Sequence, residues 1–145
     1  MRRIRGLIMM LIISLGIFGG CSGDAVGESK SPDISGSDRA YANGYEQISG
    51  EEAKKLMDSR KDYIILDART SEEFNEGHIE GALLIPEYEI EERAEAELPR
   101  KDQLILVYCR SGRRSKIAAQ ALADSGYTNV KEFGGIIDWE YEIVK

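Results

Sequence analysis

The chain reads as an α/β protein, with a central, mostly parallel sheet and helices on both faces. Three observations predict it. Short strands alternate with helical segments from Tyr45 onward. Each strand is apolar on both faces, as in a sheet covered on both sides. Two of the helical segments open on capping boxes, which mark where strand gives way to helix.

Taken in order, residues 45–48 form a short first strand. Ser49-Gly50-Glu51-Glu52 has capping-box spacing and opens a helix to about Ser59, with Ala53, Leu56 and Met57 facing inward. Residues 63–66 are a brief apolar run ending at Asp67, read as a buried strand. Thr70-Ser71-Glu72-Glu73 is the second capping box and starts a short helix through Phe74; Gly77, His78, Ile79 and Gly81 then turn the chain into a strand over 82–85, stopped by Pro86. A charged helix over 87–98 ends at Pro99, and residues 103–108 make the clearest strand. The clearest helix covers 115–125, with Ile117, Ala118, Ala121 and Leu122 on one face and Gly126 fitting its C-cap. A last strand over 129–133 leads through Gly134-Gly135 into a terminal helix around Trp139.

The N-terminus has a different texture. Met1-Arg2-Arg3-Ile4-Arg5 is positive, residues 7–18 are mostly apolar, and Gly19, Gly20 and Cys21 follow. That is the layout of a secretory signal over residues 1–20, and the run is shorter than the roughly 20 apolar residues a spanning helix needs. Cys21 directly after two small residues resembles the lipobox of bacterial lipoproteins, which implies cleavage before Cys21, its lipidation, and an exported protein anchored to the outer side of the cytoplasmic membrane. Phe18 stands where leucine is more usual; an ordinary cleaved signal and an uncleaved short anchor are the alternatives. Residues 21–44, rich in Ser, Gly, Asp and Ala, read as a flexible linker with a reach of roughly 25–30 Å, leaving 45–145 as the folded domain.

The whole chain has a formal net charge of −7, and without residues 1–20 it retains 16 basic against 26 acidic residues. An acidic body argues against a nucleic-acid partner. The chain holds two cysteines, Cys21 and Cys109, so with one claimed by lipid no internal disulfide is available. Cys109 is then a solitary thiol in an exported protein.

Its surroundings are unusual. Val107-Tyr108-Cys109-Arg110-Ser111-Gly112-Arg113-Arg114-Ser115 sets a cysteine at a strand end, where ligands bind in parallel sheets, and follows it at once with three arginines and a glycine. A tight loop running into a helix turns several backbone N–H groups toward one point, and the helix dipole adds partial positive charge there. Gly112 permits backbone angles closed to other residues, and Arg110, Arg113 and Arg114 supply fixed charge. Taken singly, the cysteine reads as a small buried hydrophobe and the arginines as a solvated surface. Together they read as a site in which the thiol ionises readily and acts as a nucleophile without a separate base.

Cys109-Arg110-Ser111-Gly112-Arg113-Arg114 resembles the C-R-x-G-x-R active loop of single-domain rhodaneses, a family of sulfurtransferases. The stretch from Leu66 to Ala82, with Asp67, Arg69, Glu73, Phe74, Gly77, His78, Ile79 and Gly81, running on to Ile85-Pro86, resembles the family's upstream signature. Gly126-Tyr127-Thr128-Asn129-Val130, Gly134-Gly135 and Trp139 resemble its closing segment. The resemblance implies the rhodanese-like fold and transfer of a sulfane sulfur from thiosulfate or a similar donor to a thiophilic acceptor, cyanide or a thiol, through a persulfide on Cys109. Arg110, Ser111, Gly112, Arg113 and Arg114 would bind the anionic donor. No metal or other cofactor is expected, and the domain is expected to be a monomer.

Two departures bear on this. Larger two-domain sulfurtransferases carry an arginine just before the upstream aromatic, where this chain has Glu73, so no substrate role passes to that position. His78, the sole histidine, reads as tying loops together rather than as a base; Asp67 and Arg69 read as a buried structural pair, and Trp139 as core. Two other readings remain. A phosphatase or arsenate reductase on the same fold uses Cys-x5-Arg, whereas here the arginine falls one residue earlier, at Arg114, and Tyr108 replaces the histidine often found before such cysteines. A partner-dependent persulfide relay would carry the same loop and turn over poorly alone.

Overall fold

The computed structural model describes residues 44–145; the signal expected over 1–20, Cys21, and the expected linker up to residue 43 lie outside the described residues. Five strands form one sheet in the order β1-β5-β4-β2-β3, every pair parallel. They are β1 (Glu46–Gln47), β2 (Tyr63–Asp67), β3 (Leu83–Leu84), β4 (Leu104–Cys109) and β5 (Val130–Gly135). Helices α1 (Gly50–Ser59), α2 (Ser71–Glu76), α3 (Ile90–Glu97) and α4 (Arg113–Asp124) make the crossovers.

The central strand explains the order. All six residues of β4 are buried, so it must lie between neighbours and under both layers, which is what its uninterrupted Leu-Ile-Leu-Val-Tyr run prescribes. Ile105, Val107 and Cys109 face α3 and α4, with Ala94, Leu98, Ala118 and Leu122. Leu104, Leu106 and Tyr108 face α1 and the C-terminal segment, with Ala53, Phe133 and Trp139. Each fully buried Leu or Val is worth about 1.5–3 kcal/mol, so β4 anchors both layers of the core.

Both capping boxes form as expected: Ser49 and Glu52 satisfy each other's backbone N–H groups at the start of α1, and Thr70 and Glu73 do so at the start of α2. Four expectations are corrected. Helix α2 runs on to Glu76, two residues past Phe74. The charged segment after Pro86 begins as a 3-10 turn, Glu87–Glu89, with Glu89 N–H bonded to Pro86 O at 2.8 Å, before α3 starts at Ile90; that turn delivers Ile90 fully into the core. Helix α4 starts at Arg113, and its buried stripe is Ser115, Ala118, Ala119 and Leu122, with Ile117 exposed. Small side chains on that stripe let the helix lie close over β4 and β5. Finally, the terminal helix is only a 3-10 turn, Ile136–Asp138. Trp139 is extended, its ring set against Phe133 and Tyr141 with centroids 5.5 and 4.8 Å away, and the chain end pairs back on His78 through Val144.

The β4–β5 ladder carries a bulge. Val107 pairs with Glu132, but two residues later Cys109 pairs with Gly135, so β5 holds one extra residue.

Tyr127, 2 % exposed, closes the far end of α3. Its hydroxyl lies 2.8 Å from Leu98 O, beyond the helix's own hydrogen bonds, and 2.9 Å from Ala94 O, which also accepts from Leu98 N–H. Tyr127→Phe should lower stability by about 1–2 kcal/mol in chemical denaturation, since it takes the hydroxyl from the Leu98 carbonyl without removing the ring.

Candidate active site

Strand β4 delivers Cys109 to the carboxyl edge of the sheet, and α4 begins four residues later. So short a turn requires Gly112 to take φ +93°, the left-handed region that side chains rarely enter. The turn brings Gly112 N–H onto the Cys109 sulfur at 3.1 Å. The sulfur is otherwise enclosed: Cys109 is only 1 % exposed. Burial pushes its thiol pKa up, but the Ser115 hydroxyl and the backbone N–H groups of Ser115, Ser111 and Gly112 together outweigh burial, and the net direction is down. The donors act because each is held by the first turn of α4 or the loop before it.

The loop is backed by glycine. A Cβ on Gly135 would stand 2.2 Å from Arg110 O and 2.6 Å from the Ser111 Cα. The β5 backbone therefore lies directly against the loop, and Ile137 N–H bonds Arg110 O at 3.3 Å.

The three arginines diverge. Arg114 is mostly buried and grips Glu73 with both terminal nitrogens, at 2.6 and 2.8 Å. The Glu73 hydrogen bond is the main reason its guanidinium holds its proton more tightly, and the charge on Cys109 adds to that effect. Glu73 in turn is brought down to about 2, chiefly by its hydrogen bond from Arg114. Two arginines in the first turn of a helix oppose its dipole; the Glu73 carboxylate offsets one of them. Arg110 and Arg113 are exposed, as is Ser111. Arg110 lines a cleft of about 310 Å³ with Arg69, Glu73, Gly77, Ile137 and Ile143 beside the loop. A larger cavity of about 520 Å³, lined by Tyr63, Trp139 and Tyr141, involves no residue of the loop.

Asp67 and Arg69 form the buried pair the sequence indicated, with Arg69 Nη2 2.7 Å from Asp67 Oδ2 and also 2.7 Å from Gly77 O. That bracket ties the end of β2 to the turn after α2 and so holds the helix carrying Glu73. His78 Nδ1 lies 3.0 Å from Phe74 O, the ring stacks on Phe74 at 3.7 Å, and its backbone pairs with Val144. It joins segments, as its place in the turn indicated. Trp139 packs on the core, although its buried Nε1 has no hydrogen-bond partner among the described residues.

Sequence reasoning missed three residues of the site. Ser115 was read only as a helix start, although its third-position place in α4 puts its side chain back toward the loop. Glu73 is read from the sequence as a capping residue and as a position to which no substrate role passes, not as the partner of Arg114. Glu132, 2 % exposed in β5, accepts from Ser115 Oγ at 2.6 Å and Gly134 N–H at 2.9 Å; a glutamate between Val130 and Phe133 in a strand of a covered sheet is the available signal.

A family profile described as "Rhodanese-like domain" matches residues 49–142. The chain belongs to the rhodanese-like domain family. It is 38 % identical over 73 residues to the thiosulfate sulfurtransferase PspE of Escherichia coli (strain K12), which covers 50 % of this chain and 70 % of PspE. It is 35 % identical over 97 residues to the thiosulfate sulfurtransferase GlpE of Coxiella burnetii, covering 66 % of this chain and 88 % of GlpE. It is also 38 % identical over 99 residues to the putative sulfur carrier protein YrkF of Bacillus subtilis (strain 168), but spans only 52 % of that protein and 68 % of itself is covered. Among solved structures, a rhodanese with anions from E. coli aligns with a TM-score of 0.55 at 36 % identity, over 57 % of this chain and 98 % of that one. The fold is the rhodanese-like fold.

Two outcomes check the geometry. Gly135→Ala should displace the loop, cost about 1–3 kcal/mol, and move the pH midpoint of Cys109 alkylation upward, read by mass of the Cys109 peptide. Glu73→Gln should cost about 1–2 kcal/mol at pH 7. Because the folded carboxyl lies below its ordinary value of 4.5, its stabilising effect is complete above that pH and is lost as pH falls toward about 2. The stability gap between Glu73→Gln and the parent should therefore narrow across that window, in denaturation at stepped pH.

Proposed function

We propose that this protein is a rhodanese-type sulfurtransferase that carries sulfane sulfur as a persulfide on Cys109. The observation that carries the reading is a buried sulfur met by Gly112 N–H at 3.1 Å, with the Ser115 hydroxyl and the backbone N–H groups of Ser115 and Ser111 also favouring its thiolate. A thiolate held this way attacks the outer sulfur of thiosulfate or a similar donor. A new S–S bond forms at Cys109, the donor's S–S bond breaks, and sulfite leaves with the bonding pair. The persulfide terminus is an anion that fixed N–H donors stabilise without reorganising. An acceptor, cyanide or a thiolate, then attacks that outer sulfur and releases the Cys109 thiolate.

Arg110 and Arg113, exposed at the mouth, attract anionic donors to one point of an acidic protein. The enclosure of Cys109 favours a donor that presents a narrow terminal sulfur. Arg114, committed to Glu73 by two hydrogen bonds, is poorly placed to grip a tetrahedral oxyanion, which weighs against phosphatase chemistry. The names of PspE and GlpE support sulfur transfer from thiosulfate; the name of YrkF supports the alternative, a carrier that receives sulfur from a partner.

Incubation of the full chain with thiosulfate should add one sulfur to the Cys109 peptide by mass, and cyanide should remove it as thiocyanate. Cys109→Ser should abolish both with the fold intact by circular dichroism. A Cys109 peptide that stays unmodified with thiosulfate but gains sulfur from a persulfidated protein would move the assignment to the carrier.

A further inference from the structure

Loading of Cys109 by a small polar donor leaves the lining of the cleft beside the loop unexplained. Arg110, which directly follows Cys109, borders it together with Glu76, Ile137 and Ile143. Ile137 is 62 % exposed and Ile143 50 % exposed. An isolated apolar side chain in water needs no explanation; two that share one cleft with the neighbour of the nucleophile do. Both are β-branched and stiff at χ1, and both are held by backbone bonds. Ile137 N–H donates to Arg110 O at 3.3 Å, which ties its place to the loop itself. Ile143 is set by the segment that returns to His78, where Val144 exchanges two backbone hydrogen bonds of 2.8 Å with His78. A Cβ on Gly77 would stand 3.0 Å from Ile143 Cδ1, so the glycine admits that side chain against the turn after α2.

Charge in the cleft is largely committed, Arg69 to Asp67 and Glu73 to Arg114. Arg110 and Glu76 remain, one of each sign, both exposed and without an ion pair among the described residues. Arg110 is the charge next to the sulfur and matches an incoming thiolate; a ligand bearing a further negative charge meets Glu76. Size points the same way. A volume of about 310 Å³ is that of roughly ten waters of liquid. Cyanide would leave most of that space, and both isoleucines, in water.

We propose that Ile137 and Ile143 are specificity-determining residues for the second half of the reaction, selecting an acceptor thiol with an uncharged aliphatic body over cyanide. The proposal rests on the persulfide reading and names the acceptor class for the same site. The thiol first gives its proton to solvent. Its thiolate, drawn by Arg110, attacks the outer sulfur of the Cys109 persulfide. A new S–S bond forms on the acceptor, the bond from Cys109 to that sulfur breaks, and Cys109 leaves with the bonding pair as a thiolate. The acceptor departs as an organic persulfide, so no outside oxidant or reductant enters. Its hydrocarbon body lies against the two isoleucines meanwhile, and each methylene taken out of water there strengthens the encounter.

The test is the rate at which persulfidated Cys109 loses its sulfur, read by mass of the Cys109 peptide from the full chain so that Cys21 does not contribute. The protein is loaded with thiosulfate, or with sodium tetrasulfide where thiosulfate leaves Cys109 unmodified. The acceptors are mercaptoethanol, mercaptopropanol, mercaptobutanol and mercaptohexanol, with cyanide as reference and rates expressed per thiolate. The second-order constant should rise about twofold to fourfold per methylene. Ile137→Ser and Ile143→Ser should each lower the ratio of the mercaptohexanol constant to the cyanide constant by about threefold or more; a merely structural role would lower both constants and leave the ratio. Mercaptopropionate should be no faster than mercaptopropanol, and Glu76→Gln should make it faster. A series flat with chain length overturns the proposal, as does a slope kept in both serine variants or a mercaptopropionate faster than mercaptopropanol in the parent. Should one serine variant fail to fold, the other and the parent series decide. Failed loading by thiosulfate alone sinks the donor reading and leaves this test to run on tetrasulfide-loaded protein; no sulfur on Cys109 from either source overturns both.

Discussion

Burial works against charge, and the sulfur of Cys109 is buried. Everything at the carboxyl edge of the sheet answers that one conflict. A thiol deep in an apolar strand would keep its proton; the Ser115 hydroxyl and the N–H groups of Ser115, Ser111 and Gly112 reverse the preference. Those donors cannot relax away, because Gly112 closes the turn on one side and Gly135 leaves the β5 backbone pressed against it on the other. The parallel sheet, the small-residue stripe of α4 and the glycine pair after the bulge all serve to keep that loop short.

Charge at the site is divided by function of position. Arg114 is buried and structural, bound to Glu73 on a helix that the Asp67–Arg69 bracket holds in place. Arg110 and Arg113 face solvent and give the mouth a positive field. A run of arginines that looks uniform in the sequence thus becomes one strut and two attractors. The difference comes from where the first turn of α4 points each side chain, since neighbouring residues on a helix face in different directions.

Much of this was legible before any coordinates. The apolar run to Tyr108 marks the central strand, the Ser49 and Thr70 capping boxes set the starts of α1 and α2, and the cysteine-arginine-glycine order marks the loop. Those are local signals, and local chemistry decides them. What escaped was set by distance along the chain. Nothing in Arg114 announces Glu73, 41 residues away, or in Ser115 announces Glu132, 17 residues away. The terminal segment departs from the expected helix because its composition yields to tertiary contacts: Trp139 packs at a tilt against Phe133 and the chain returns to His78, so one 3-10 turn is all that forms. Ile117 misled in the same way, its apolar side chain left outside because smaller neighbours let the helix approach the sheet more closely.

The extra residue in β5 works as a change of phase. Strand side chains alternate between the two sides, so an uninterrupted ladder would have kept β4 and β5 in step, and whatever lay beside Cys109 would have shared its side of the sheet with Glu132. Alternation already sets the Glu132 carboxylate beneath α4 and the Phe133 ring in the opposite layer; with the added residue, the position level with the sulfur becomes Gly135, where no side chain fits. Shortening this segment by one residue would leave the strand paired and the core nearly full, yet put the wrong surface behind the sulfur. The irregularity in the ladder is thus what brings bare backbone up behind the sulfur.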